Sequence, residues 1–137
     1  MIRIESIDHI VLRTTRVDEM VDFYCRVLGC TLERVLSAEI GLSQLRAGDA
    51  LIDIVAVSSE LGRAGGEAPA PSGNNLDHFC LQIEPFEESE LLDYLSAQGL
   101  ETGNFEERYG AQGFGQSIYI NDPDGNTIEL KASKPTK

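Results

Sequence analysis

Two short stretches, Ile7-Asp8-His9-Ile10-Val11-Leu12 and Leu76-Asp77-His78-Phe79-Cys80-Leu81, decide the fold of this chain because the second repeats the first. In each, an Asp-His pair precedes an apolar run, which is typical of a β-strand that buries at least one face. The two histidines lie 69 positions apart and are the only histidines in the chain. We therefore predict two similar halves, each of which begins with a strand.

An amphipathic helix that ends at a glycine follows each of these stretches. Tyr24 matches Tyr94 and Gly29 matches Gly99, at a spacing of 70 that one inserted residue explains. Acidic residues occupy the first turn of both helices, where the helix dipole favours them. The apolar residues recur at helical spacing, and they are Val17, Met20, Val21, Tyr24, Val27 and Leu28 in the first helix and Leu91, Leu92 and Leu95 in the second.

Short strands close each half. We predict strands at 31–38, 42–47 and 51–57 in the first half and at 116–121 and 127–131 in the second. The tetrapeptide Asp122-Pro123-Asp124-Gly125 between the last two suits a type I turn. Asp53 and Glu129 match in the final strands at a spacing of 76, so seven extra residues enter the second half, and we place them within 109–116. The predicted fold class is α+β, built from two paired βαβββ modules.

Strand alternation places four polar residues on the same side of this fold. Successive residues in a strand face opposite sides, so His9, Asp53, His78 and Glu129 all lie opposite the apolar faces of their strands. A solvent-exposed face would explain these polar residues equally simply. Two imidazoles and a carboxylate are, however, the ligand set of open first-row metal sites. We therefore favour a divalent-metal site formed by His9, His78 and Glu129, with Asp53 as a fourth ligand.

The length and composition of the chain predict its domain organisation. At 137 residues the chain is one domain. We divide it into module one at about 5–57, a linker at 58–75 rich in Gly, Ala, Pro and Ser, and module two at about 76–131.

Charge and cysteine content argue against several functions. A formal charge of −12 argues against a nucleic-acid partner, which needs clustered Lys and Arg. No apolar run is long enough to span a membrane. Cys25, Cys30 and Cys80 form no C-x-x-C pair, so neither a disulfide framework nor a zinc ribbon is indicated. Such cysteines suit a reducing compartment, and we predict a cytoplasmic protein.

The chain resembles the vicinal oxygen chelate superfamily, the glyoxalase, bleomycin-resistance and extradiol dioxygenase group. The resemblance rests on 8–12, Phe23-Tyr24 with Leu28-Gly29, 76–78, and above all 119–130, where an Asp-Pro-Asp-Gly-Asn turn precedes an acid-bearing strand. It implies modules whose strands curl around a metal cleft. It also implies ligands from the first and last strand of each module and assembly as a homodimer, in which one or two chains supply each site.

The resemblance implies a metal-dependent glyoxalase-like lyase or isomerase acting on a small oxygenated metabolite or thiol adduct. Ni, Zn, Co, Mn or Fe would stabilise an enediolate, and Asp53 or Glu129 would be the catalytic base. Arg13 matches a glyoxalase arginine that holds the glutathione carboxylate. Asp53 and Val57 depart from that pattern, because glyoxalases usually have glutamate and often asparagine there.

Three alternatives remain open. An Fe(II) extradiol-type dioxygenase shares the His, His, Glu triad but also uses a further histidine as a proton donor. In this chain that role would fall to Tyr119, which is also a candidate substrate-binding residue, or to Tyr109. A fosfomycin-type thiol transferase needs cations, for which Arg13, Arg46, Arg108 and Lys131 are the candidates. A non-catalytic small-molecule binding module would need no metal. The glycine-rich residues 109–115 are either a movable flap over a substrate or an exposed connecting loop.

Overall fold

The computed structural model describes residues 1–134. Their contacts form two compact units, Met1–Ser72 and the remainder from Gly73. Each unit contains one of the two predicted modules. Within the described residues, no helix is both long enough and apolar enough to cross a membrane.

The first unit is a four-stranded mixed sheet with the strand order β1-β4-β3-β2. β1 and β4 are parallel, and the other neighbours are antiparallel. The helix between β1 and β2 is α-helical in its first half and π-helical in its second. The elements are β1 (His9–Thr14), α1 (Val17–Asp22), the π-helical turn (Phe23–Val27), β2 (Thr31–Val35), β3 (Leu42–Ala47), β4 (Ala50–Ala56) and α2 (Glu60–Arg63).

The second unit repeats this arrangement with the strand order β5-β8-β7-β6, in which β5 and β8 are parallel. Its elements are β5 (His78–Ile83), α3 (Glu88–Ala97), β6 (Glu106–Gly110), β7 (Gly113–Asn121) and β8 (Thr127–Ala132). Each unit is thus a βαβββ module, and the predicted α+β fold class is confirmed. Parallel pairing of the first and last strands requires a long connection, which the helix and two intervening strands supply.

The helix of the first unit buries the apolar stripe that the sequence predicts. Met20 and Tyr24 are fully buried, as are most of the side chains of Phe23 and Val27. Gly29 follows the helix with φ 77°, a left-handed conformation that ends helices and that glycine adopts without steric cost.

The last strand of each module, β4 or β8, is the most buried one. Ile52 and Ile54 of β4 are buried in the core, and so are Ile128 and Leu130 of β8. The opposite faces of β4 and β8 are also buried although they carry polar groups, namely Asp53, Glu129 and Lys131. The structure therefore excludes a plain solvent-exposed face at these three positions.

The turn at 122–125 forms as predicted. The Gly125 amide donates to the Asp122 carbonyl oxygen at 2.9 Å, which closes the turn. Asp122 Oδ1 accepts from the amides of Asp124 and Asn126 at 2.9 and 3.0 Å. This side chain is buried and fixes the turn that connects β7 and β8.

Several predicted boundaries are wrong. β2 ends at Val35, and β7 begins at Gly113 because the glycine-rich stretch is a β6–β7 hairpin closed at Ala111-Gln112 rather than a loop or flap. Glycine normally weakens strands, which is why this stretch was predicted as a loop. The extra residues of the second half lie mainly before β6, where 98–105 correspond to 28–30 of the first half. The linker contains α2, whose N-cap Ser59 accepts from the Gly62 amide.

Candidate metal centre

The first unit brings His9 and Asp53 onto one face of its sheet. His9 begins β1, and the register pairs Val11 with Asp53, so the alternating side chains of both strands share that face. Asp53 is only 3% exposed, and its Oδ1 has no hydrogen-bond partner among the described residues. A buried carboxylate oxygen without a partner is costly, and a bound cation would compensate that cost.

A chain of two hydrogen bonds holds the other oxygen of Asp53. Gln44 Nε2 donates to Asp53 Oδ2 at 3.3 Å, and Arg34 Nη1 donates to Gln44 Oε1 at 3.3 Å. Gln44 therefore orients the carboxylate through Oδ2 and leaves Oδ1 free. Orientation of a ligating carboxylate by such a neighbour is common in metal sites.

The second unit brings His78 and Glu129 together. His78 begins β5, and Cys80 pairs with Glu129 in β8, which places both predicted ligands on one face. His78 Nε2 lies 3.3 Å from Glu129 Oε1, and the Glu129 side chain is only 6% exposed. His78 and Glu129, the two predicted ligands of this unit, therefore lie close enough to bind the same ion.

Both histidines are held by the aspartate that precedes them. His9 Nδ1 lies 2.6 Å from Asp8 Oδ1, and His78 Nδ1 lies 2.7 Å from Asp77 Oδ2. The hydrogen bond that the Asp8 carboxylate accepts raises the pKa of His9, burial opposes this rise, and the charges of Asp53 and Asp8 add to it. A carboxylate at Nδ1 fixes the tautomer that presents the Nε2 lone pair to a metal. This orienting role of Asp8 and Asp77 was not predicted from the sequence, although the repeated Asp-His dipeptide is a signal for it.

Tyr119, predicted to bind substrate, lies beside His78. The two ring centroids are 5.3 Å apart in an edge-to-face arrangement, and the guanidinium of Arg108 lies 4.4 Å from the Tyr119 ring centroid. Burial and then the Glu129 carboxylate raise the pKa of Tyr119. The phenol is therefore protonated at neutral pH and able to donate a hydrogen bond.

Arg13, the other predicted substrate residue, binds the chain itself. Three of the five guanidinium N–H donors reach backbone carbonyl oxygens of Gly62, Gly66 and Glu67, at 3.0, 2.6 and 3.0 Å. This arrangement ties the segment after β4 to β1. The role of Arg13 in substrate binding stays a prediction. It requires either that the segment after β4 release the guanidinium or that the substrate bind to the remaining two N–H donors.

A cavity of about 380 Å³ opens beside His78 and Glu129, and Cys80, Gln82 and Lys131 line it as well. Burial, followed by the charge of Glu129, raises the pKa of the Cys80 thiol to about 11. The thiol is therefore neutral at physiological pH, which argues against a nucleophilic role, and the exposure of Cys80 does not support the predicted packing role.

The predicted four ligands thus form two pairs, one in each unit. Among residues 1–134 no group of three or more His, Cys, Asp or Glu side chains is arranged to hold one ion. The donors nevertheless fit a divalent first-row metal, because imidazole nitrogens and carboxylate oxygens are its usual ligands. The unpartnered Oδ1 of Asp53 supports the same fit.

Comparisons with known proteins support the family resemblance. The family model of the Glyoxalase/Bleomycin resistance protein/Dioxygenase superfamily matches residues 6–130. A protein from the mobile metagenome of V. pseudocholerae is 27% identical over 98% of this chain and 99% of its own, with a TM-score of 0.77. A virulence protein from Salmonella typhimurium is 27% identical over 97% of this chain and 100% of its own, with a TM-score of 0.74. A lactoylglutathione lyase from Agrobacterium tumefaciens shares the fold at 20% identity, 93% coverage of both chains and a TM-score of 0.67.

Proposed function

Because the chain belongs to the Glyoxalase/Bleomycin resistance protein/Dioxygenase superfamily, we propose that it is a metal-dependent lyase or isomerase of the glyoxalase type. Its substrate is a small oxygenated metabolite or thiol adduct, and its metal ligands are His9, Asp53, His78 and Glu129. The observation that carries this proposal is Asp53, a buried carboxylate with one unpartnered oxygen at the position in β4 that Glu129 occupies in β8.

Each unit supplies one imidazole and one carboxylate, and two protein ligands alone are fewer than the three or four that zinc sites use. The proposal is therefore that one ion takes such a pair from each of two modules, which belong to one chain or to two. The two aspartates at Nδ1 of His9 and His78 prepare both imidazoles in the same way.

A divalent metal bound there would act as a Lewis acid toward two neighbouring oxygens of the substrate. Asp53 or Glu129, when released from or loosely bound to the metal, is the proposed proton acceptor. Gln44 keeps the Asp53 carboxylate oriented through Oδ2, and its Oδ1 has no donor among the described residues. An isomerase would return that proton to the adjacent carbon from the same carboxylate. The protonated Tyr119 phenol, beside His78, would donate a hydrogen bond to a substrate oxygen.

Metal analysis tests the ligand assignment. We expect about one divalent ion per chain after purification without chelators, and its loss in His9→Ala, His78→Ala, Asp53→Asn and Glu129→Gln. Asp49→Asn, in the exposed β3–β4 turn, is the matched control and should retain the metal. Retention of about half of the metal in each single variant would instead mean two separate two-ligand sites.

Exchange of a carbon-bound proton tests the reaction. The protein loaded in turn with Ni, Co, Zn, Mn and Fe should exchange the α-proton of an α-hydroxycarbonyl or hemithioacetal substrate with solvent deuterium. Lack of exchange with every metal would exclude the lyase or isomerase. Oxygen uptake with catechols by the iron form would favour the extradiol-type dioxygenase, and ligand binding that survives His78→Ala in a metal-free protein would favour the binding module.

We also propose that the protein works as a cytoplasmic homodimer. Apolar side chains left exposed in the first unit support an interface, among them Val11 at 50% and Val35 at 59% exposure. Three free cysteines without a disulfide are compatible with a reducing compartment. Light scattering should give about twice the chain mass of 15.0 kDa, and a monomer at micromolar concentration would contradict the proposal.

A further inference from the structure

Lys131 is a buried cation that has no anionic partner within residues 1–134. Lys131 is only 3% exposed, and its ammonium group donates one hydrogen bond, to the Gly113 carbonyl oxygen at 3.0 Å. Among the described residues no carboxylate pairs with it. An ammonium carries three donors, and burial without a counter-ion is costly, so the group is suited to an anionic ligand.

The β6–β7 hairpin makes room for this side chain with two glycines. A Cβ at Gly110 would lie 3.3 Å from Lys131 Cδ and Cε, and a Cβ at Gly115 would lie 2.9 Å from Nζ. The lysine stem therefore crosses the hairpin where no side chain stands. These positions account for the glycine-rich stretch that the proposed function leaves unexplained.

The ammonium belongs to the cavity that also contains His78 and Glu129. Lys131 and Gln82 are register partners on β8 and β5, and both line that cavity of about 380 Å³. The other cation on this sheet, Arg108, is engaged by Ser117 at 2.8 and 2.9 Å and by Glu106 at 2.7 Å. Of the two cationic side chains on the strands of this unit, Lys131 is therefore the one available to bind a ligand in the cavity.

From this arrangement we infer that Lys131, with the Gln82 amide beside it, forms an anion-binding subsite for the carboxylate of a small monoanionic ligand, such as an α-hydroxy acid. One ammonium balances one negative charge, and the Glu129 carboxylate in the same cavity opposes a dianion such as a phosphate ester. The anion subsite does not depend on a metal. Its use by a substrate rests on the proposed function, which would place the hydroxyl or carbonyl next to that carboxylate near His78 and Glu129.

Lysine-selective NMR tests the subsite directly, because the chain contains only Lys131, Lys134 and Lys137. The full chain, labelled with 15N-lysine, is titrated with glycolate and with its neutral analogue glycolamide, each with and without EDTA. We expect glycolate to shift the Lys131 signal, which Lys131→Arg assigns, under both conditions. We expect glycolamide to bind at least about tenfold more weakly, since it lacks the charge.

Two variants, each with a matched control, separate the charge and position of the ammonium from other effects. Lys131→Met should weaken glycolate binding at least about tenfold, whereas Lys134→Met, which removes the same charge outside the cavity lining, should change it less than threefold. Gly115→Ala keeps the charge but displaces Nζ and should also weaken binding, whereas Gly103→Ala, where a new Cβ meets no atom within 4 Å, should not. Gly115→Ala also provides the test if Lys131→Met does not fold.

The outcomes distinguish this inference from the proposed function. Equal glycolate affinity in Lys131→Met and Lys134→Met, or equal affinity of the wild type for glycolate and glycolamide, would overturn the subsite. A purely structural role of Lys131 would lower the melting temperature of Lys131→Met without changing glycolate affinity, which also overturns it. Glycolate binding that depends on Lys131 in a protein that holds no metal would support the subsite and contradict the proposed function.

Discussion

Replacement of Asp53 by asparagine should stabilise the metal-free protein. Asp53 is buried, its Oδ1 has no partner in the part of the chain that the structure describes, and its Oδ2 accepts one long hydrogen bond of 3.3 Å from Gln44. An unsatisfied buried polar group costs about 1–3 kcal/mol, and a charged one costs more. Asparagine keeps the shape but removes the charge, so we expect the free energy of unfolding without metal to rise by about 1–2 kcal/mol.

Metal should reverse the order of the two proteins. A ligand that binds only the folded state at one hundred times its Kd adds about 2.7 kcal/mol, and this gain should appear in the wild type and vanish in Asp53→Asn. Urea unfolding with EDTA, and again with saturating metal, measures both effects. Asp49→Asn serves as the surface control and should change stability by less than about 0.5 kcal/mol.

If Asp53→Asn lowers the stability of the metal-free protein by about 1 kcal/mol or more, then the carboxylate already has a stabilising partner, and the buried oxygen is not a reserved cation site. Equal stabilisation of wild type and Asp53→Asn by metal would separately remove Asp53 from the ligand set.

Three further predictions follow from single contacts. Gly65→Ala should destabilise the protein by about 1–3 kcal/mol in thermal or urea unfolding, because the new Cβ would overlap the Arg13 side chain, and an effect no larger than that of Gly103→Ala would contradict this packing. Asp77→Asn should lower metal affinity about 10- to 100-fold in a chelator competition, since the carboxylate charge that makes the His78 imidazole a stronger ligand is lost; replacement of the exposed Asp93 of α3 by Asn should leave it unchanged. Iodoacetamide should alkylate Cys80 of the metal-free protein at pH 8 at least about tenfold more slowly than a free thiol, because its pKa of about 11 leaves little thiolate. The Cys80 rate should rise with pH toward 11, and a rate that levels off near pH 9 would mean that the thiol is not shifted.

Much of the candidate site could be predicted from the sequence because strand alternation is a local property. Once His9 and Asp53 are placed in strands, their side of the sheet follows from parity alone, and the register of β1 with β4 confirms it. The same reasoning placed His78 with Glu129, and the turn at 122–125 followed from the positional preferences of Asp, Pro and Gly.

The glycine-rich hairpin shows where local reasoning failed. Propensity opposes glycine in a strand, yet the residues on both sides of the turn at 111–112 are paired strands. The close approach of Lys131 favours residues without side chains at Gly110 and Gly115. Strand pairing is a contact between distant segments, and no local pattern records it.

Periodicity and duplication along the chain were enough to predict the two βαβββ modules and to select His9, Asp53, His78 and Glu129 as candidate ligands. Which polar atoms have partners became visible only in the folded structure. Backbone carbonyl oxygens hold Arg13, whereas among residues 1–134 Asp53 Oδ1 has no partner and the buried Lys131 has no counter-ion. Hydrogen bonding and desolvation depend on groups that are far apart in sequence, so they exist only once the chain has folded.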